Sequence, residues 1–200
     1  MARIRVIFEK VGWITFVNHM DLPTLFSRAA RRAGLSQEFT QGFSPHPHIS
    51  LASPLAIGVD GLAEPAEFWF NEWDADCVQR WNDNLPDGIR ILKYAEADGP
   101  ALAKLATTAV YRFRGVGVTL DERALSVLEE EARRSGELMA SSFKDGDLML
   151  TVGGIERCGA GNMVRALAEN GLCRGWPDVR ITREITGSWD AAHATVLSLI

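Results

Sequence analysis

The chain of 200 residues is 46% hydrophobic and 24% charged, ordinary values for a globular protein that exclude a disordered, collagen-like or coiled-coil chain. Its formal charge of −5 excludes the strongly basic field of a nonspecific nucleic-acid binder. No apolar stretch reaches the roughly 18 residues that a transmembrane helix needs, and the charged opening MARIRVIFEK has no signal-peptide core. We therefore expect a cytoplasmic protein with no membrane contact.

The charge is uneven along the chain. Residues 1–60 carry six Lys or Arg and four Asp or Glu, a net +2, whereas residues 61–100 carry three and nine, a net −6. An anionic partner such as RNA is therefore expected to contact the N-terminal part. The three cysteines are widely spaced without a CxxC pair, so we predict neither a disulfide framework nor a protein-held iron–sulfur cluster, and no cofactor.

The first half predicts the order strand, helix, strand, strand, helix, strand. The opening ARIRVIFEK alternates apolar and polar residues, as a half-buried strand does. A helix over 21–33 follows, with Asp21 as the expected N-cap and Gly34 just after its end. The remaining predicted elements are two strands around a turn at 60–65, a short helix over 74–84 and a strand over 89–95.

The second half repeats this order loosely. AVYRFRGVGV predicts a strand, and Thr119 and Glu122 are spaced as a capping box at the start of the next helix. Asp145-Gly146 predicts the turn of a hairpin, and a helix over 162–170 precedes the strand VRITREIT.

This element order is typical of the split βαβ, or ferredoxin-like, fold. We predict an α+β protein of two tandem ferredoxin-like units with antiparallel sheets. The units cover residues 1–97 and 105–187, and a tail without predicted structure covers 188–200.

Three of the four histidines, His19, His46 and His48, lie within 30 residues and are accompanied by Asp21. In a right-handed βαβ unit the PHPH segment returns to the end of the sheet where the helix begins. We therefore expect these side chains to share one recess. Neighbouring residues that extend this predicted binding set are Arg28, Arg31, Arg32, Gln41 and Ser44.

The chemistry of such a recess is open from the residues alone. Imidazole groups act as general acids or bases, donate to phosphate when charged, or ligate metal. The catalytic candidates are His19 and His46, and a metal site would combine His46 and His48 with His19 or Asp21, although this is not a known zinc spacing. Alternatively, PHPH is a rigid turn whose histidines bond to the backbone, and Asp21 only caps its helix.

Two further motifs have an alternative each. The stretch GGIERCGAGN lies between a strand and a helix, and it is either a phosphate cradle or a connector. In AVYRFRGVGV, Tyr111 and Phe113 share one strand face, and Arg112 and Arg114 share the other. Either the aromatic rings stack on the bases of a nucleic acid while the arginines contact its phosphates, or the rings are buried in a core.

The segments RVIFEKVGWITFVNHMDLPTLFSRAARRAGL, QGFSPHPHISLASPLAIGV and AEFWF resemble the radical SAM-linked protein family, a bacterial domain of unknown function. The most specific elements are HMDL at 19–22, RRAGL at 31–35 and QGFSPHP at 41–47. The resemblance implies a protein encoded beside, or fused to, a radical SAM enzyme that carries a cobalamin-binding-like domain. It implies context more than chemistry.

Three functions follow as hypotheses. The first is a noncatalytic partner of a radical SAM enzyme that binds or presents a substrate such as RNA through the histidine-bearing end and the basic helix face. The second is a metal-independent endoribonuclease with His19 or His46 as general base and Arg28 or Arg31 on the phosphate. The third is a small metal-binding protein. The oligomeric state is not determined by the sequence.

Overall fold

The computed structural model describes residues 1–200 as a mixed α/β protein built on one sheet. The strands are Ala2–Lys10 (β1), Ile49–Leu51 (β2), Asp60–Phe70 (β3), Ile89–Glu96 (β4), Thr108–Gly115 (β5), Glu137–Lys144 (β6), Asp147–Gly153 (β7), Val179–Asp190 (β8) and Thr195–Leu197 (β9). The α-helices are Leu22–Arg32 (α1), Cys77–Asn82 (α2), Leu102–Leu105 (α3), Glu122–Ser135 (α4) and Ala160–Glu169 (α5). None of these helices combines the length and the apolar content that a membrane crossing requires.

The sheet is mostly antiparallel. Its strands follow the order β4-β1-β3-β8-β5-β7-β6, with β2 beside β3 and β9 beside β8. The one parallel contact joins β3 to β8, where Asp60 pairs with Thr182 and Gly61 with Arg183. We predicted separate antiparallel sheets, and the structure joins them into one. No local pattern signals this pairing because its two strands lie far apart in the sequence.

A separate hydrophobic core supports each half. In the first half, α1 and α2 cover one face of β1, β3 and β4, and Phe26 lies at the centre. Its ring centroid is 5.0 Å from that of Phe8, 5.2 Å from Phe68 and 5.9 Å from Trp81. In the second half, α4 and α5 cover β5, β7 and β8. Leu55 and Val59, from the loop after β2, also pack into this second core.

The predicted turn at 60–65 is wrong, because these residues belong to a strand. The structure continues β3 through these residues, because Asp60 and Gly61 pair with β8 and Gly61 also pairs with Lys10. The turn lies instead between Leu51 and Asp60. Pairing on both sides of the strand therefore overrides the local turn preference of the DG-containing segment.

The two predicted helix caps differ in outcome. Asp21 occupies the N-cap position of α1 as predicted, but its side chain makes no capping hydrogen bond, because a 3₁₀ turn over His19–Asp21, itself capped by Asn18, leads directly into the helix. In α4 the cap is Asp121, whose carboxylate accepts hydrogen bonds from the backbone N–H groups of residues 123 and 124, rather than Thr119.

Three other features are clear in the second half. The Asp145-Gly146 turn is confirmed, and both residues have positive φ, 54° and 81°. The stretch GGIERCGAGN is a packed connector, since Ile155 and Cys158 are buried in the second core. The tail, predicted to have no regular structure, contains the end of β8, which extends to Asp190 and pairs with β9.

The position of Phe26 makes it the sharpest test of the first core. Because the ring is fully buried among aromatic neighbours, we expect Phe26→Ala to lower the free energy of unfolding by about 3–5 kcal/mol in chemical denaturation. Phe16 is 63% exposed, so Phe16→Ala is the matched control, with a change within about 0.5 kcal/mol. Equal losses in the two variants would contradict this account of the core.

Candidate functional site

The outer face of α1 carries arginines because its other face is fully used by the core. Leu22, Phe26, Ala29 and Ala30 are buried, and this spacing turns Arg28, Arg31 and Arg32 to solvent. Arg32 donates a hydrogen bond to the Asn84 carbonyl. The guanidinium groups of Arg28 and Arg31 make no ion pair or hydrogen bond within the protein, although the Arg31 carbonyl accepts a hydrogen bond from the Gly34 N–H. Their guanidinium groups are therefore available to an external anion.

A groove of about 410 Å³ lies on one side of α1. We call it the His46 groove. Its polar lining is Thr24, Ser27 and Arg28 from the helix and His46 from the following segment. No acidic residue lines it, so the charge of Arg28 is not neutralised there.

The His46 ring is oriented by its own turn. Its Nδ1 atom lies 3.1 Å from the Thr40 hydroxyl and 3.3 Å from the Ser44 carbonyl. The Thr40 hydroxyl can donate or accept, whereas the Ser44 carbonyl only accepts, so the carbonyl contact favours the neutral tautomer that carries its proton on Nδ1 and its acceptor on Nε2. The His46 backbone N–H also donates to the Thr40 hydroxyl. This part of PHPH is the backbone-bonded turn that the sequence allowed.

A second groove, of about 520 Å³, lies on the other side of the helix. Asp21, Thr24, Arg28 and Arg32 are its polar lining. Arg28 and Thr24 line both grooves, whereas Asp21 and His46 lie on opposite sides of α1. The helix therefore separates two residues that the sequence placed in one recess.

The predicted recess shared by the three histidines is wrong. His48 stacks on Trp69 with 3.7 Å between ring centroids and an interplanar angle of 4°. His46 is exposed at its groove, and His19 is partly buried near Arg183 and Glu64. The backbone of 46–48 pairs with residues 38–40 through a bridge between Phe39 and Pro47, and the His48 carbonyl also accepts from the Trp69 N–H, so this segment is held against its neighbours and not against His19.

These positions also remove the predicted metal set. His19, Asp21, His46 and His48 do not come together, and no group of three or more His, Cys, Asp or Glu side chains is placed to hold a metal ion. The structure therefore offers nothing to support a small metal-binding protein.

The segment between α1 and β2 exposes two aromatic rings that the sequence analysis missed. Phe43 is fully exposed and Phe39 is 51% exposed. The backbone of Phe39 forms a bridge with that of Pro47, a residue that lines the His46 groove. Phe39 therefore lies at the edge of that groove. Gln41 and Ser44 are exposed in the same segment. The sequence feature that could have predicted an exposed ring is the phenylalanine within the otherwise polar run TQGFSP.

Buried charges lie where the two halves meet. Arg183 donates from Nε to Glu64 at 2.8 Å, and it also donates to the Tyr111 hydroxyl and to the Ser53 carbonyl. Burial alone would lower the pKa of Arg183, but the Glu64 carboxylate raises it, so the guanidinium stays charged. The buried Lys10 ammonium donates to the Val17 carbonyl at 2.7 Å. These groups are satisfied within the protein, which indicates a structural role.

His19 borders this cluster. Burial lowers its pKa, the positive charge of Arg183 lowers it further, and its Nδ1 atom has no hydrogen-bond partner. The folded protein therefore favours the neutral imidazole.

Comparisons with known proteins give a family but no activity. The family model described as "Uncharacterized protein conserved in bacteria (DUF2344)" matches residues 3–146. No curated protein matches the chain. Among solved structures, the chain is similar to the first two RRM domains of the yeast poly(U) binding protein Pub1. That match has 8% identity and a TM-score of 0.23, and it covers 90% of this chain and 98% of the other.

The lowered pKa of His19 predicts a pH dependence of stability. The unfolded imidazole has a pKa of about 6.5, so below that pH the unfolded state takes up a proton that the folded state resists. The stabilising contribution is complete above about pH 6.5 and is lost as the pH falls toward the lowered folded pKa. We expect the free energy of unfolding to fall less in His19→Gln than in the wild type between about pH 7 and about pH 5.

The exposed His46 supplies the control for this measurement, since His46→Gln removes a histidine outside the buried cluster. The His46 variant should follow the wild-type pH dependence. Identical slopes for all three proteins would contradict the role given to His19.

Proposed function

Since the chain belongs to the bacterial family of uncharacterized proteins DUF2344, we propose that it is a noncatalytic RNA-binding module that presents RNA to a radical SAM enzyme. The observation that carries the RNA part is the unpaired guanidinium of Arg28, which lines the acid-free His46 groove.

Electrostatics favour a polyanion at this surface. A guanidinium group has five N–H donors in a planar fork, and those of Arg28 and Arg31 have no protein acceptor. The surrounding N-terminal segment, residues 1–60, has a net charge of +2, although the whole chain has −5. A phosphate backbone is therefore attracted to this part of the surface more than to residues 61–100, which carry a net −6.

The exposed rings supply a second kind of contact. Proteins that bind single-stranded RNA stack bases on aromatic side chains, at about 1–3 kcal/mol per base. Phe39 and Phe43 are exposed in the segment that borders the His46 groove. Unpaired arginine beside unpaired aromatic rings is the combination that single strands require and that duplexes do not.

The RNA proposal is tested by charge removal on α1. We expect Arg28→Gln/Arg31→Gln to weaken binding of a fluorescein-labelled octauridylate about tenfold or more in fluorescence anisotropy, and to reduce the dependence of affinity on salt. The matched control is Arg90→Gln/Arg157→Gln, which removes the same charge at two exposed arginines outside α1. Equal affinities for wild type and the α1 variant would contradict the proposal.

The endoribonuclease remains the second candidate because His46 and Arg28 share one groove. A turn-oriented His46 with a free Nε2 has the arrangement of a general base, and Arg28 would face the phosphate. Cleavage of the octauridylate by the wild type, lost in His46→Ala, would replace the noncatalytic proposal with this one. An intact probe after prolonged incubation supports the binding module.

The radical SAM partner rests on the resemblance of the sequence. We expect the chain to co-purify with the radical SAM protein encoded beside it when the two are co-expressed, and to raise the turnover of that enzyme on its RNA substrate. Absence of a complex together with unchanged turnover would count against the partnership while leaving RNA binding untouched.

We interpret residues 1–97 and 105–187 as two tandem ferredoxin-like units. The strand orders β2-β3-β1-β4 and β6-β7-β5-β8 support this interpretation, because each places the first and third strands of its half at the centre. Residues 188–200 follow this unit, and they contain the end of β8 and the short strand β9 that pairs with it.

A further inference from the structure

Three arginines line a groove on the helix-free face of the second half. Arg112 and Arg114 come from β5 and Arg180 comes from β8, and the groove has a volume of about 450 Å³. The neighbouring Tyr111 and Phe113 are buried in the core, so strand alternation places the arginines on the opposite face. None of the residues that line this groove lines the grooves beside α1.

Each of these arginines is held by a carboxylate. The pairs are Arg112 with Glu184 at 2.7 Å, Arg114 with Asp147 at 2.6 Å and Arg180 with Asp60 at 3.1 Å. The arginine side chains are 35–69% exposed, whereas their carboxylate partners are only 13–27% exposed. The carboxylates therefore lie beneath the guanidinium groups and orient them. Because the arginine side chains are already held, they lose less conformational entropy when a ligand binds.

The groove keeps free hydrogen-bond donors despite these pairs. Its three arginines balance the charge of their three carboxylate partners, but of those partners only Asp60 lines the groove, so the groove wall presents mainly guanidinium groups. Arg114 donates to Asp147 through Nε and Nη2, so three of its five N–H donors stay free. Arg180 donates to Asp60 through Nη2 only. Free guanidinium donors that line one groove are suited to the oxygen atoms of a phosphate.

Apart from Gly12 and Thr182, the rest of the lining is apolar. Val11, Leu62 and Val116 contribute it, and Val116 is 51% exposed. A bare inorganic anion would leave this surface unused. The volume also lies within the range of about 300–1,000 Å³ that is usual for small-ligand sites.

We propose that this arginine groove binds a phosphate ester of nucleotide size, with the phosphate on Arg112, Arg114 and Arg180 and the organic part against Val11, Leu62 and Val116. The same chemistry is present in a free mononucleotide and in one nucleotide of an RNA chain. The inference goes beyond the RNA surface on α1 and does not depend on it.

Two probes distinguish these sources. Adenosine 5′-monophosphate is titrated by calorimetry, and labelled octauridylate is titrated by anisotropy. Arg112→Gln/Arg114→Gln should weaken binding at least about tenfold, since it removes two charged donors. Arg180→Gln should weaken it about threefold or more, and because Arg180 is the most exposed of the three, this variant keeps the test valid if the double variant fails to fold.

The matched control is Arg80→Gln, which removes the same charge from another arginine–carboxylate pair, that of Arg80 with Asp74. Its affinity for both probes should stay within about twofold of the wild type. Loss of nucleotide affinity in the groove variants supports a free nucleotide as the ligand. Loss of octauridylate affinity alone supports an RNA chain.

The inference is overturned if the wild type binds neither probe, or if the groove variants match Arg80→Gln with both. Arg28→Gln/Arg31→Gln should bind adenosine 5′-monophosphate like the wild type. Failure of the α1 surface and failure of the arginine groove are therefore seen in different variants.

Discussion

The buried ion pair between Glu64 of β3 and Arg183 of β8 is the contact on which the arrangement of the two halves depends. Both side chains are almost inaccessible to water, and two charges in such a place are tolerated only when their remaining hydrogen-bonding groups are also satisfied. Arg183 meets this condition through the Tyr111 hydroxyl and the carbonyls of Ser53 and Pro54. The pair therefore fixes the register of β3 against β8 and holds the loop after β2 on the second core.

This junction sets the geometry of both proposed surfaces. On the helix-free side, the parallel pairing places Asp60 beside Arg180 and so brings a first-half carboxylate to the arginine groove. On the other side, the first core holds α1 with its arginines outward. The two surfaces share no residues, and they differ in kind: Arg28 is unpaired, whereas each arginine of the groove has a carboxylate beneath it.

The sequence predicted the elements well where a repeating pattern extends over many residues. Alternation identified β1, and the spacing of Leu22, Phe26 and Ala29 identified both α1 and its basic outer face. Predictions that depended on one residue were weaker. Asp21 and Thr119 fit the cap pattern, yet Asn18 and Asp121 make the hydrogen bonds, because a neighbouring polar residue can serve as well.

What the sequence determined by itself was most of the longer strands and helices and the outward direction of the α1 arginines, since burial of apolar side chains with a given period leaves only one face for charge. Tertiary structure alone decided the rest. The histidines separated into three environments, and Glu64 found Arg183, through contacts between residues distant in the chain. Such contacts depend on how whole elements pack, and no local spacing of residues encodes that packing.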